Sequence, residues 1–101
     1  NILNSNSYAI NSYGWYLDMQ MPLPYNTYEW VDTWRVMWSF DPLVYANVTH
    51  EHQKYFLGGE ALMWGDQVDG TNIESRVWPR ASGVAERLWS PEFVTDINAA
   101  V

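Results

Sequence analysis

The chain has 101 residues, of which 48% are apolar, with seven Trp, seven Tyr and no Cys. Twelve acidic against five basic residues leave a net charge of -7, which removes the basic footprint that a phosphate backbone requires, so nucleic acid is not an expected partner. No apolar run approaches the ~18 residues of a spanning helix, no thiolate is present to hold a metal or a disulfide, and the composition suits a globular core rather than a disordered segment.

The chain begins at Asn1 without an initiator Met, a basic leader or a signal-like apolar stretch, and is expected to be a fragment of a longer protein. Residues 1 to 7, NILNSNS, are too rich in Asn and Ser for an element interior and read as a loop. The aromatic stretch from Tyr8 to Leu17 suits a strand. Met21-Pro22-Leu23-Pro24 then interrupts any regular ladder, because proline lacks a donor and holds its predecessor extended. Next, Asn26 lies three residues before Glu29, and Trp30, Val31, Trp34, Met37 and Trp38 follow at helical spacing. This predicts a helix from about 27 to 40, closed by Pro42, with its tryptophan stripe engaged in core packing.

In the polar stretch that follows, His50-Glu51-His52 puts its two imidazoles on opposite faces of any strand and lacks a third ligand. No metal is expected there, and both histidines read as surface residues. Asn47-Val48-Thr49 fits the N-glycosylation pattern. The run YFLGGEALMW, 55 to 64, is strand-like, and Asp69 and Asn72 after it read as turn chemistry. From Arg76 the pattern is helical again, with Pro79 suited to a first turn and Ala81, Val84, Ala85, Leu88 and Trp89 on one stripe. Gly83 inside that helix costs about 1 kcal/mol relative to Ala, which predicts a close backbone approach as compensation. Ser90-Pro91 ends the helix and suits the start of a short terminal one.

The order strand, helix, strand, helix argues for parallel strands covered by helices. A closed (β/α)8 barrel takes about 250 residues, so the expected fold class is α/β, a partial TIM barrel of about the last two strand–helix units.

Strand alternation puts Glu60, Leu62 and Trp64 on one face and Ala61 and Met63 on the other, with Asp66 continuing the first face if the geometry stays extended past Gly65. In the first strand Tyr16 and Asp18 point one way, Trp15 and Leu17 the other. Both strands thus end in aromatic, spacer, acid, and parallel pairing brings both endings to the rim where α/β folds bind ligands. A sugar suits such a rim, because its CH groups stack on an aromatic ring and its hydroxyls donate to a carboxylate in charge-assisted bonds. The plainer reading is a three-residue coincidence in an aromatic, acidic chain. Glu60, a carboxylate within an apolar run, is read as a structural acid paired with Arg80 or Arg76.

Three segments carry a family resemblance: WYLD at 15 to 18, LGGEALMWGDQVDGTN at 57 to 72 and RVWPRASGVAERLWS at 76 to 90. From about Ser12 to Pro91 the chain resembles the C-terminal end of the catalytic barrel of family 20 glycoside hydrolases, the β-N-acetylhexosaminidases. The resemblance implies that all 101 residues are the C-terminal portion of that catalytic domain, and that the two strands are the seventh and eighth of its barrel. It also implies retaining hydrolysis of terminal N-acetylhexosamines, in which the substrate's own acetamide is the nucleophile.

Carried over by position, Tyr16 binds the acetamide carbonyl, Trp64 walls the sugar pocket, and Asp18 and Asp66 hold outer hydroxyls. Many family members have Glu where this chain has Asp66, one methylene longer; Arg80 and Glu60 match structural positions. Loop 19 to 29 is expected to tune substrate choice, with Met19 offering no charge to an anionic sugar. The implied partners are N-acetylhexosamine-terminated oligosaccharides or glycoconjugates. No cofactor is implied, a homodimer is open to the intact protein, and the implied location is lysosomal or secreted. The family's Asp-Glu pair and its upstream arginine do not occur in these residues, so the chain alone is expected to be inactive. The alternative is a non-catalytic sugar-binding protein that keeps the aromatic and acidic rim.

Overall fold

The computed structural model of the chain describes residues 2–18 and 33–99. The expected loop at 19 to 29 and the start of the helix expected from about 27 lie outside them. The aromatic stretch after the opening loop forms β1, Ala9–Asn11, and the apolar run after the histidines forms β2, Phe56–Gly59. The two pair in parallel, with Ala9 opposite Phe56, Ile10 opposite Gly58 and Asn11 opposite Gly59. Short 3-10 helices precede both strands, one turn at Leu3–Ser5 and two turns at His50–Tyr55.

Both strands are shorter than expected, because the ladder breaks and then resumes where Tyr16 pairs with Leu62. The first strand spends four residues between Asn11 and Tyr16 where the second spends two between Gly59 and Leu62. The excess bulges out. Asn11 Nδ2 donates to Tyr13 O at 2.6 Å across the bulge, and Gly14 takes a φ of 91° with the Phe40 ring where a side chain would stand.

Thr33 opens α1, Trp34–Ser39, its hydroxyl accepting from Val36 N at 3.4 Å. The helix stops at Phe40, which is extended, and Asp41 is held extended by the proline after it. Pro42 therefore does more than close a helix. It opens a second one, α2, Pro42–Tyr45, capped by Asp41 Oδ1 accepting from Leu43 N at 2.9 Å and Val44 N at 3.2 Å. The other oxygen of Asp41 meets Arg87 at 2.8 Å.

The last helical region is two helices, α3, Ile73–Val77, and α4, Arg80–Trp89, divided by the cis Trp78-Pro79 bond. Pro79 precedes α4 instead of occupying its first turn, and its carbonyl accepts from Ser82 N at 3.0 Å. After Ser90-Pro91 the described residues form a turn, Val94 N donating to Pro91 O at 3.0 Å, and not the expected terminal helix.

The core lies between the helices and one face of the sheet. Trp15 and Leu17 pack with Met37 of α1 and Val84 of α4, flanked by Phe40, Met63 and Ala81. Each fully buried apolar side chain of this kind contributes about 1.5–3 kcal/mol. Trp15 is 0% exposed, and its Nε1 donates to Met37 O at 2.9 Å. Of the tryptophan stripe, Trp38 is buried and Trp34 half-buried, which is the expected packing role; Trp30 lies outside the described residues. The α4 stripe is narrower than expected: Ala81 and Val84 join the core, whereas Ala85, Leu88 and Trp89 are exposed. At Gly83 the helices touch backbone to backbone, since a Cβ there would run into the Trp34 carbonyl.

Candidate functional site

Beyond the bulge, the two chain segments run side by side toward their carboxyl ends. Leu62 N donates to Trp15 O at 2.9 Å and Leu17 N to Leu62 O at 2.7 Å, which fixes Tyr16 beside Leu62 on one face. The burial of Trp15 and Leu17, with Met63 packed against the same cluster, marks the opposite face as the helix side. Period-two alternation then gives Tyr16 and Asp18, and Leu62 and Trp64, a common face turned away from the helices. Tyr16 and Leu62 thus lie side by side as the parallel strand ends predict, but the chain turns at Gly65, so Asp66 does not continue that face by strand alternation.

The environments of the four residues differ. Tyr16 is half-buried, with Tyr13 edge-on to its ring at 6.3 Å. Asp18 is half-buried, and its Oδ1 is enclosed without a hydrogen-bond partner among the described residues. Trp64 is 56% exposed, a broad apolar surface at the rim. Asp66 is exposed, in the turn that follows. A phenol donor, an open indole and two carboxylate acceptors can stack a sugar ring and accept its hydroxyls. Among the described residues the same set includes no nucleophile with an adjacent base.

Arg80 lies behind this face at 3% exposure. Its guanidinium donates to the carbonyl of Leu17 and to that of Arg76, in the latter case through Nε at 3.1 Å and a terminal nitrogen at 2.6 Å. A buried cation satisfied by carbonyls thus ties α4 to the strand end that carries Asp18. The expected pairing of Glu60 with Arg80 or Arg76 is not found. Glu60 is exposed just past β2 and accepts from Ser12 Oγ at 2.5 Å, since its side chain leaves on the face opposite the helices.

The turn after the second strand is built as read. Asp69 Oδ1 accepts from Thr71 N at 2.8 Å and Thr71 Oγ1 at 2.5 Å. These bonds hold the Asp69 carboxyl below the usual carboxylate range. Asn72 bonds back to residues 67 and 69, a direction that no residue type announces. His50 is exposed, and His52 Nδ1 lies 2.6 Å from Thr49 Oγ1. Among the described residues no cluster of His, Cys, Asp or Glu is arranged to hold a metal, and no helix is long and apolar enough to cross a membrane.

Among the described residues, one hollow of about 410 Å³ lies between α1 and α4, and another of about 270 Å³ lies beside the Asp41–Arg87 pair.

Residues 1–92 match the catalytic domain of glycosyl hydrolase family 20. Over 100 residues the chain is 43% identical to beta-hexosaminidase subunit A1 of Dictyostelium discoideum, covering 99% of this chain and 18% of that protein. It is 43% identical over 95 residues to beta-hexosaminidase subunit beta of Felis catus, covering 91% of this chain and 16% of that one. For the subunit beta of Homo sapiens the figures are 41% over 92 residues, 91% and 15%. The chain therefore spans less than a fifth of the length of these relatives.

Proposed function

We propose, from the premise that this chain belongs to glycosyl hydrolase family 20, that it forms one wall of the active site of a β-N-acetylhexosaminidase. The wall consists of the last two strand–helix units of the catalytic barrel, and the substrate is a terminal N-acetylhexosamine of an oligosaccharide or glycoconjugate. The observation that supports this reading is the Tyr16–Leu62 pairing, which brings the two strand ends side by side, together with an oxygen of Asp18 that has no partner among the described residues.

In this reading the Tyr16 hydroxyl donates to the acetamide carbonyl of the bound sugar and holds its oxygen for attack on the anomeric carbon. Tethering the nucleophile replaces a bimolecular encounter, an advantage of about 7–11 kcal/mol for well-oriented intramolecular reactions. Trp64 stacks against the sugar and excludes water from the acetamide. Asp18 and Asp66 accept from outer hydroxyls, the shorter Asp66 at the more exposed edge. The proton for the leaving oxygen comes from an acid beyond these residues, which contain no Asp-Glu dipeptide. The exposed Asn47 and Thr49 of the glycosylation triplet support a lysosomal or secreted protein.

The test is Tyr16→Phe in the full-length protein, assayed with a chromogenic N-acetylglucosaminide. Loss of a donor aimed at the reacting group is expected to lower kcat about a hundred-fold. An unchanged rate removes the role given to Tyr16. The exposed indole of Trp64 beside the carboxylates also fits a second reading, sugar binding without hydrolysis. Full-length protein that turns over no substrate but gives heat with N-acetylglucosamine in calorimetry would establish it.

A further inference from the structure

Asp66 sits in a turn, not on a strand, so something other than the sheet must hold it to the rim. Gly65, Asp66 and Gln67 are exposed, and the positions a Cβ would take at Gly65 and Gly70 have no atom within 4 Å. Among the described residues, hydrogen bonds from side chain to backbone hold this turn.

The bonds meet at Asn72, the residue before the first turn of α3. An Asn in that position ordinarily turns its side chain onto the free N–H groups of the helix. Here it makes no such bond. Its amide is turned back instead: Nδ2 donates to Gln67 O at 3.0 Å, and Oδ1 accepts from Asp69 N at 2.9 Å. An N–H on one side and a carbonyl on the other determine which end of the amide is which. Its backbone is anchored in the other direction, with the carbonyl accepting from Arg76 N at 3.1 Å and Ser75 Oγ at 2.8 Å. One half-buried side chain thus links α3 to the carbonyl of Gln67, the residue after Asp66.

We infer that Asn72 is a positioning residue, whose amide braces the Gln67 carbonyl and so holds Asp66 where it meets the sugar. The inference rests on the sugar-contact reading of Asp66. Asp69 has a supporting part, because its carboxylate closes the turn onto Thr71 and presents its own N–H to Asn72.

The test is a double-substitution cycle in the full-length protein with a chromogenic N-acetylglucosaminide. Asn72→Ala is expected to lower kcat/KM about ten-fold, mainly through KM. In an Asp66→Ala background the same change is expected to cost less than about two-fold, since the residue it acts through is gone. Asn72→Asp keeps an acceptor for Asp69 N and loses the donor to Gln67 O. It is expected to melt close to the unaltered protein and still lose activity, and it takes the place of Asn72→Ala in the cycle if that variant does not fold. An equal loss in both backgrounds, or no loss from either Asn72 variant, overturns the inference while Asp66 keeps its role. An Asp66→Ala variant with unchanged KM overturns the sugar contact itself, and the inference with it.

Discussion

Asp18 shows at the scale of one atom how function and stability part. A buried polar group without a partner costs about 1–3 kcal/mol, and among the described residues Asp18 Oδ1 is in that position. A sugar hydroxyl would supply the missing donor, at about 1.5–3 kcal/mol for a bond to a charged group. Asp18→Leu in the full-length protein is therefore expected to lose about ten- to a hundred-fold in kcat/KM while its melting temperature holds or rises. A lower melting temperature with unchanged kinetics would make Asp18 a structural residue. The face of Tyr16 was legible in the sequence because alternation along a strand is strict, and its bridge to Leu62 agrees with that alternation. Hydrogen bonds to the backbone were not. Arg80 was matched with Glu60 by charge, yet its guanidinium goes to the Leu17 carbonyl, an acceptor that every residue type offers alike.

Among the elements, the crossing of α1 and α4 is the most constrained. At an exposed helical position, Gly to Ala gains about 1 kcal/mol. At Gly83 the new methyl meets a backbone carbonyl, Trp34 O, which cannot swing aside as a side chain can. Overpacking of this kind costs about 1–3 kcal/mol, so Gly83→Ala is expected to lower the urea midpoint and Gly83→Val to lower it further. A raised midpoint for the alanine variant would mean that the two helices separate at little cost. The close approach at Gly83 was legible, because a glycine inside a helical pattern needs a reason. The bulge between Asn11 and Tyr16 was not, since it depends on how many residues the partner strand uses over the same distance. The split at Pro42 was half legible: the proline marks a boundary, but Asp41 as the cap of a new helix had to be seen.

On the scale of the whole molecule, the described residues make an incomplete layer. Two parallel strands with both outer edges open bury one face, while Ile10, Leu57 and Trp89 remain exposed. The radius of gyration, 14.9 Å, exceeds the ~13 Å of a compact domain of about 100 residues. Open edges and apolar surface of this kind invite association. The 101 residues expressed alone are expected to self-associate in gel filtration, to unfold in urea without a sharp transition and to turn over no N-acetylglucosaminide. A monomer with a steep, single transition would show that these units make a self-sufficient core.

The local periods can be read along the chain alone: the two aromatic–x–acid spacings, the helical stripe through Met37 and Trp38, the turn at Asp69, and the long motifs that mark the family. Each is set by neighbours along the chain, where alternation and helical spacing act. Only the tertiary structure decided the register that puts Tyr16 beside Leu62, the wrapping of Arg80 around the Leu17 carbonyl, and the turning of Asn72 away from its own helix toward Gln67. Those depend on which backbone groups are left without partners once the strands and helices have met, and that is known only when both sides of each contact are in place.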